Sequence, residues 1–300
     1  MPVVNTNVSL KRRTEEYFKH LQDNICGALA EIDGGKDFHE DSWSHATGGG
    51  GRTRVLENGR VFEKAGVNFS AVTTDLSQNL ATHLSVPRQS ISATGISLVL
   101  HPISPMIPTV HMNLRYIDLA NGDAWFGGGA DLTPYYLFPE DVEHFHTTWK
   151  AVCDKYDTAC YPLFKKSCDE YFFIKHRGEA RGVGGIFFDY HRENLERFFA
   201  FVQDIGEQFL HAYLPIVERR MKYPWGEREK EWQKIRRGRY VEFNLIYDRG
   251  TLFGLETEGR TESILISLPP EVKWSYDHKP AIGSPEEALL KILQQPREWT

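Results

Sequence analysis

At 300 residues, 41% of them hydrophobic and 25% charged, the chain has the make-up of a globular protein that buries its core without metal or disulfide staples. Its formal net charge of −6 excludes nucleic-acid binding through a global basic field, so an anionic ligand would be held by locally placed arginines and lysines. No run of about 18 apolar residues offers a membrane span. Thr14-Glu15-Glu16 follows Lys11-Arg12-Arg13 where a secretory signal needs an apolar stretch, so the cytoplasm is the expected compartment.

Residues 9–32 carry Tyr17, Leu21, Ile25, Leu29 and Ile32 at helical spacing, with Ser9 as a cap and Asp33-Gly34-Gly35 as a stop. Strands are expected over 52–57 and 60–65, joined through Asn58-Gly59 as a two-residue hairpin, then over 67–72, followed by a short helix over 74–83. Residues 95–102 and 110–116 read as two further strands. On the second, alternation puts His111, Asn113 and Arg115 on one face and Val110, Met112, Leu114 and Tyr116 on the other. Ser97 and His101 share one side of the first. Residues 125–134 read as an aromatic and glycine turn that ends on Asp131.

Helices are expected over 139–154, 162–176 and 193–220, the last with Pro215 inside it, and a strand over 182–189. Residues 239–247 and 252–256 read as a hairpin around Asp248-Arg249-Gly250. Residues 263–268 read as a strand, and 285–293 as a closing helix. Strands in adjacent runs predict one α+β domain over 1–300, with a mostly antiparallel sheet and helices packed on it.

His111, Asn113 and Arg115 have two readings. They are the wet face of an antiparallel sheet, or an acid/base and anion-holding surface, because histidine moves protons near neutral pH and arginine grips carboxylates in a bidentate fork. Gly127-Gly128-Gly129 marks either a bulge or the close approach of a bulky flat ligand. Gly48 to Gly51 with Arg52 lacks the ending of a phosphate-binding loop and reads as a mobile loop. Cys26, Cys153, Cys160 and Cys168 form no CxxC pattern, which favours buried thiols over an iron–sulfur cluster or zinc ribbon. The histidines match no short metal-ligand motif, and His144 and His146, two apart on a helix, face apart.

These segments resemble the oxygen-dependent coproporphyrinogen-III oxidase family from about Arg12 to Trp299. The resemblance is carried by His101-Pro102, Pro108-Thr109-Val110-His111-Met112-Asn113-Leu114-Arg115, Trp125-Phe126-Gly127-Gly128-Gly129-Ala130-Asp131-Leu132-Thr133-Pro134 and Arg181-Gly182-Val183-Gly184-Gly185-Ile186-Phe187-Phe188-Asp189. Further marks are Tyr213 to Arg220, Gly238 to Leu245, Asp248 to Leu255 and Gly259 to Ser263.

The resemblance implies a large antiparallel sheet flanked by helices on both faces. It implies a homodimer whose contact lies in a strand-rich segment over 239–275. The implied reaction converts two propionates of coproporphyrinogen III to vinyl groups with O₂, giving protoporphyrinogen IX, CO₂ and H₂O₂, without flavin, haem or iron–sulfur cluster. His111 is the implied proton donor, Asp131 the implied partner of the pyrrole N–H groups, and Arg115 the holder of the reacting propionate. Ser97, Asn113, Leu114, Arg115, Glu258, Gly259 and Arg260 are the implied substrate contacts. His101, His111, His146 and His176 are the implied ligands of a divalent metal such as manganese in some members. A metal ligand and a free proton donor compete for one imidazole lone pair, so His111 carries both readings. A cofactor-free oxidase, a metal-dependent oxidase and a non-catalytic tetrapyrrole-binding module remain to be separated.

Overall fold

The computed structural model describes residues 9–300 apart from 77, 79–80, 83–86 and 257–258. Helix α1 (Leu10–Ile32) begins where the Ser9 side chain accepts the Arg12 N–H, and its buried stripe is Phe18, Leu21, Ile25 and Leu29. Strands β1 (His39–Ser44), β2 (Gly49–Glu57), β3 (Phe62–Asp75), β4 (Ser90–Pro102), β5 (Thr109–Leu119) and β6 (Ala124–Thr133) then pair antiparallel in chain order.

Helices α2 (Pro139–Asp154) and α3 (Cys160–Tyr171) and a small hairpin, β7 (Phe173–Ile174) and β8 (Glu179–Ala180), intervene before β9 (Gly184–His191). That strand completes a seven-stranded antiparallel sheet by pairing with β6. Five helices follow: α4 (Leu195–Arg220), which contains Pro215, α5 (Glu227–Ile246), α6 (Arg249–Glu256), α7 (Thr261–Leu265) and α8 (Pro285–Gln294).

Period-two alternation divides the sheet into two surfaces. Ile96, Leu98 and Leu100 of β4, Met112 and Leu114 of β5 and Phe126 and Leu132 of β6 join Phe18 and Ile25 of α1 and Ile205 and Phe209 of α4 in the main core. The opposite surface faces α5 to α7. The architecture is therefore an α+β sheet with helices on both faces, as expected.

Several local expectations change. Asn58 adopts φ 54°, as a hairpin position does, yet the turn runs on through Val61, because the Asp33 carboxylate accepts the N–H groups of Arg60, Val61 and Phe62. The strands expected over 60–65 and 67–72 are one 14-residue strand. It holds Thr74 and Asp75; of the rest of the helix expected over 74–83, Gln78, Ala81 and Thr82 are helical, and 77, 79–80 and 83 lie outside the described residues. The segment 125–134 is a fully buried strand rather than a turn, stabilised by pairing on both sides, with a register shift against β9 between Phe126 and Gly128. Helix α3 ends at Tyr171, and Ile174 joins a buried cluster with Cys168, Phe172 and Phe243.

The largest correction lies in 239–268. The expected hairpin and strand are the end of α5, then α6 and α7, so among the described residues of 239–275 there are helices as far as Leu265 and no strand. The buried positions of α5 are Trp232, Gln233, Ile235, Arg236, Arg237, Gly238, Tyr240, Val241, Phe243 and Asn244. Gln233, Arg236, Arg237 and Asn244 interrupt the apolar stripe that marks a helix in sequence. Its arginines are buried because each has a carboxylate: Arg236 pairs with Glu179 at 2.6 Å and Arg237 with Glu63 at 2.8 Å.

Candidate active site

Strand register turns the polar face of β5 into a two-dimensional array. His111 pairs with Val99 on one side and Asp131 on the other; Asn113 lies between Ser97 and Gly129; Arg115 lies between Gly95 and Gly127. Above this array, α5 to α7 enclose a cavity of about 640 Å³, within the range usual for small-molecule sites. Ser97, His111, Asn113 and Arg115 line it from the sheet, and Arg249, Gly259 and Arg260 from the helical cover. Leu114 faces the core, so only its backbone is offered on the cavity side. Glu258 lies outside the described residues.

His111 Nδ1 lies 2.8 Å from Asp131 Oδ1. Asp131 is 1% exposed, and Arg181 closes on it with Nη2 at 2.7 and 2.8 Å from its two oxygens and Nε at 3.3 Å. Burial pushes the Asp131 pKa up, but the Arg181 charge and the His111 hydrogen bond outweigh it and hold the carboxyl below its ordinary range. An ionised carboxylate only accepts, so His111 donates from Nδ1 and keeps Nε2 for the cavity.

Arg181 is itself fixed. Its Nη1 donates to Asn244 Oδ1 at 2.8 Å, and its guanidinium lies over the rings of Phe172 at 4.1 Å, Tyr240 at 4.4 Å and Phe243 at 4.9 Å. Asp131 was expected to meet pyrrole N–H groups directly. It does not line the cavity, and its acceptor positions are filled by His111 and Arg181, so it acts on the cavity through His111.

At the other end, Arg115 Nη2 meets Asp189 Oδ2 at 2.7 Å and its Nη1 donates to Asn113 Oδ1 at 2.9 Å. This pair rests on Gly127, where a Cβ would stand 2.4 Å from Asp189 Oδ1 and 2.9 Å from Arg115 Nη2. The glycine is therefore required by close approach rather than by a turn. Arg260 forms an ion pair with Asp41 of the edge strand β1.

The Coproporphyrinogen III oxidase family model matches the chain over residues 13–299. The chain belongs to that family. Its reaction class is the oxidative decarboxylation of coproporphyrinogen III in haem biosynthesis, a tetracarboxylate macrocycle as substrate. That accounts for a cavity ringed by arginines on a chain of net charge −6.

The four histidines implied as metal ligands do not form one site. His101 is bonded through Nδ1 to Thr109 Oγ1 at 3.2 Å and through Nε2 to the Ser267 carbonyl at 2.8 Å. His146 is bonded to the Tyr161 hydroxyl at 2.8 Å and the Val183 carbonyl at 3.1 Å; burial lowers its pKa to about 3 and so keeps it neutral. His176 is bonded to the Tyr247 hydroxyl at 2.8 Å and to Glu242 at 2.7 Å. Only His111 lines the cavity, and among the described residues no three His, Cys, Asp or Glu side chains converge on one point. The donor set does not fit a shared metal ion, because both ring nitrogens of three of its members are engaged elsewhere.

Sequence reasoning assigned no role to Arg181, Asp189, Asn244, Asp248 or Arg249, all of which line the cavity. A signal existed for Asp189: alternation along β9 puts it on the face of Phe187, which also lines the cavity. Arg181 had none, since a buried arginine reads as a surface residue until its carboxylate is located. No helix among the described residues is long and apolar enough to cross a membrane.

Proposed function

We propose that this family member uses O₂ to convert two propionates of coproporphyrinogen III to vinyl groups, yielding protoporphyrinogen IX. In each round a carboxylate leaves as CO₂, the neighbouring β-carbon gives up a hydrogen, and O₂ takes two electrons to become H₂O₂. The balance needs one further proton. His111 Nε2 relays it: with Nδ1–H held by Asp131, Nε2 accepts from a pyrrole N–H and passes that proton to reduced oxygen, and a proton from solvent restores the pyrrole N–H as CO₂ leaves. The electron-rich tetrapyrrole is the reductant of O₂ in this reading, so the reaction does not draw on a flavin, haem or iron–sulfur cluster.

Arg115 and Arg260, with Ser97, Asn113, the Leu114 backbone, Glu258 and Gly259, would bind the propionates and ring edge. Gly129, which lines the cavity, would give the macrocycle a flat floor. The observation that carries this reading is the juxtaposition of the His111–Asp131–Arg181 triad and the cavity arginines across one sheet face.

The test follows porphyrin product from coproporphyrinogen III in air, under nitrogen, and in air after exhaustive chelation. Turnover should need O₂ and survive chelation. Loss on chelation with rescue by a divalent ion such as manganese would sink the cofactor-free mechanism, and binding without CO₂ release would sink catalysis altogether. We also propose a cytoplasmic homodimer over a single domain, with its contact in 239–275. Exposed Leu245, Ile246, Leu252, Leu255 and Trp274 support that contact.

A further inference from the structure

We propose that Asp189 is a positioning residue that joins Arg115 and Arg249 into one carboxylate subsite at the end of the cavity away from His111. The two arginines come from opposite walls, Arg115 from β5 and Arg249 from the start of α6. Asp189 Oδ2 reaches both, at 2.7 Å from Arg115 Nη2 and 3.7 Å from Arg249 Nη2. Its other oxygen, Oδ1, accepts the N–H of Tyr190, whose φ of 56° is left-handed. A non-glycine residue held there marks a backbone that its surroundings over-determine. Tyr190 lies where β9 shifts register against β6, beside the Asp189 carboxylate that lines the cavity, and Gly127 leaves room for that carboxylate.

The physical case rests on preorganisation. Two guanidinium groups brought toward one ligand repel each other. The Arg249 side chain is 43% exposed and steadied otherwise by the rings of Tyr171 at 4.8 Å and Phe187 at 5.6 Å. A fixed carboxylate between them lowers that repulsion and holds both in place before the ligand arrives, leaving one net positive charge for one propionate. Asp189 also ties the helical cover to the sheet through Arg249.

This inference rests on the oxidase reading, and the test separates the two. Turnover of coproporphyrinogen III in air and quenching-derived Kd for the oxidised tetracarboxylate coproporphyrin III are measured for wild type, Asp189→Ala, Asp189→Asn, Arg115→Gln and the Asp189→Ala/Arg115→Gln pair. For Asp189→Ala, KM and Kd should rise about tenfold while kcat moves less than about threefold. Asp189→Asn keeps an acceptor for Tyr190 and should shift Kd the same way by about threefold. The pair should bind no worse than Arg115→Gln alone.

Unchanged or tighter binding by both Asp189 variants at wild-type Tm would overturn the proposal, as would additive losses in the pair. If Asp189→Ala does not fold, Asp189→Asn decides by its Kd. Wild type that binds coproporphyrin III but does not turn over coproporphyrinogen III would defeat the oxidase reading alone; the Kd comparison would still decide the subsite.

Discussion

The sheet face from Ser97 to Asp131 and the helical cover from Glu227 to Ser267 build the same cavity in opposite ways. The sheet supplies His111, Asn113 and Arg115 at period-two spacing, each locked by a neighbouring strand in register. The cover supplies Asn244, Arg249 and Arg260 from helices whose inward stripe is itself polar. A wall held on both sides by strand pairing places groups rigidly and suits the chemistry. Short helices tied down by ion pairs suit a wall that grips and admits the substrate.

That contrast is sharpest if changes at the His111 end of the sheet lose kcat and changes in the cover lose binding. His111→Ala should lower kcat by about 10²- to 10⁴-fold with little change in the Kd for coproporphyrin III, as expected for loss of a general acid/base. A large rise in Kd with kcat preserved would break the division of labour.

Arg181→Ala strikes the seam between the walls, because it strips the buried Asp131 of its arginine counter-charge and leaves it the His111 hydrogen bond alone; urea unfolding should report a loss of about 3–5 kcal/mol. Arg260→Gln, on the cover, should raise KM several-fold and leave kcat nearly unchanged in steady-state assays. If kcat falls instead, the cover takes part in the chemistry.

The pH dependence of stability gives a smaller test. His146 has a folded pKa of about 3, below its unfolded value of about 6.5. Between those values the unfolded chain binds the proton and the folded chain does not, so stability is full above about pH 6.5 and falls as the pH drops toward 3. His146→Gln should flatten that slope in urea titrations at pH 4–7. Asp131 adds a second loss at lower pH: its folded pKa is depressed, so its stabilisation is present above its unfolded pKa and lost as the pH falls through the folded one. Least of all, Asp41→Asn removes a partly exposed ion pair to Arg260 and should change stability by about 0–1 kcal/mol in thermal melts.

The sheet face was legible because a strand's side chains follow its sequence with period two, and one buried face gives the register a signal. His111, Asn113, Arg115 and Ser97 were found that way, and α1, α2, α4 and α8 by apolar stripes and caps. Residues 239–268 were misread as strands because Gln233, Arg236, Arg237 and Asn244 sit where apolar residues mark a helix. The histidines were misleading for a related reason: a family pattern names residue types, not convergence. His101, His146 and His176 are each held by local hydrogen-bond partners in separate places.

By itself the sequence determined the fold class, the mostly antiparallel character of the sheet, the polar row on β5 and, through its motifs, the family. These follow from local periodicity and turn chemistry, which depend on near neighbours in the chain. Only the tertiary structure decided that Asp131 lies behind His111 under Arg181, that Asp189 faces Arg115, and that the cover is helical. Those outcomes depend on which buried charge finds its counter-charge across 50 or 74 residues of chain, from Asp131 to Arg181 and from Arg115 to Asp189. Such pairing is a property of packing that no local pattern records.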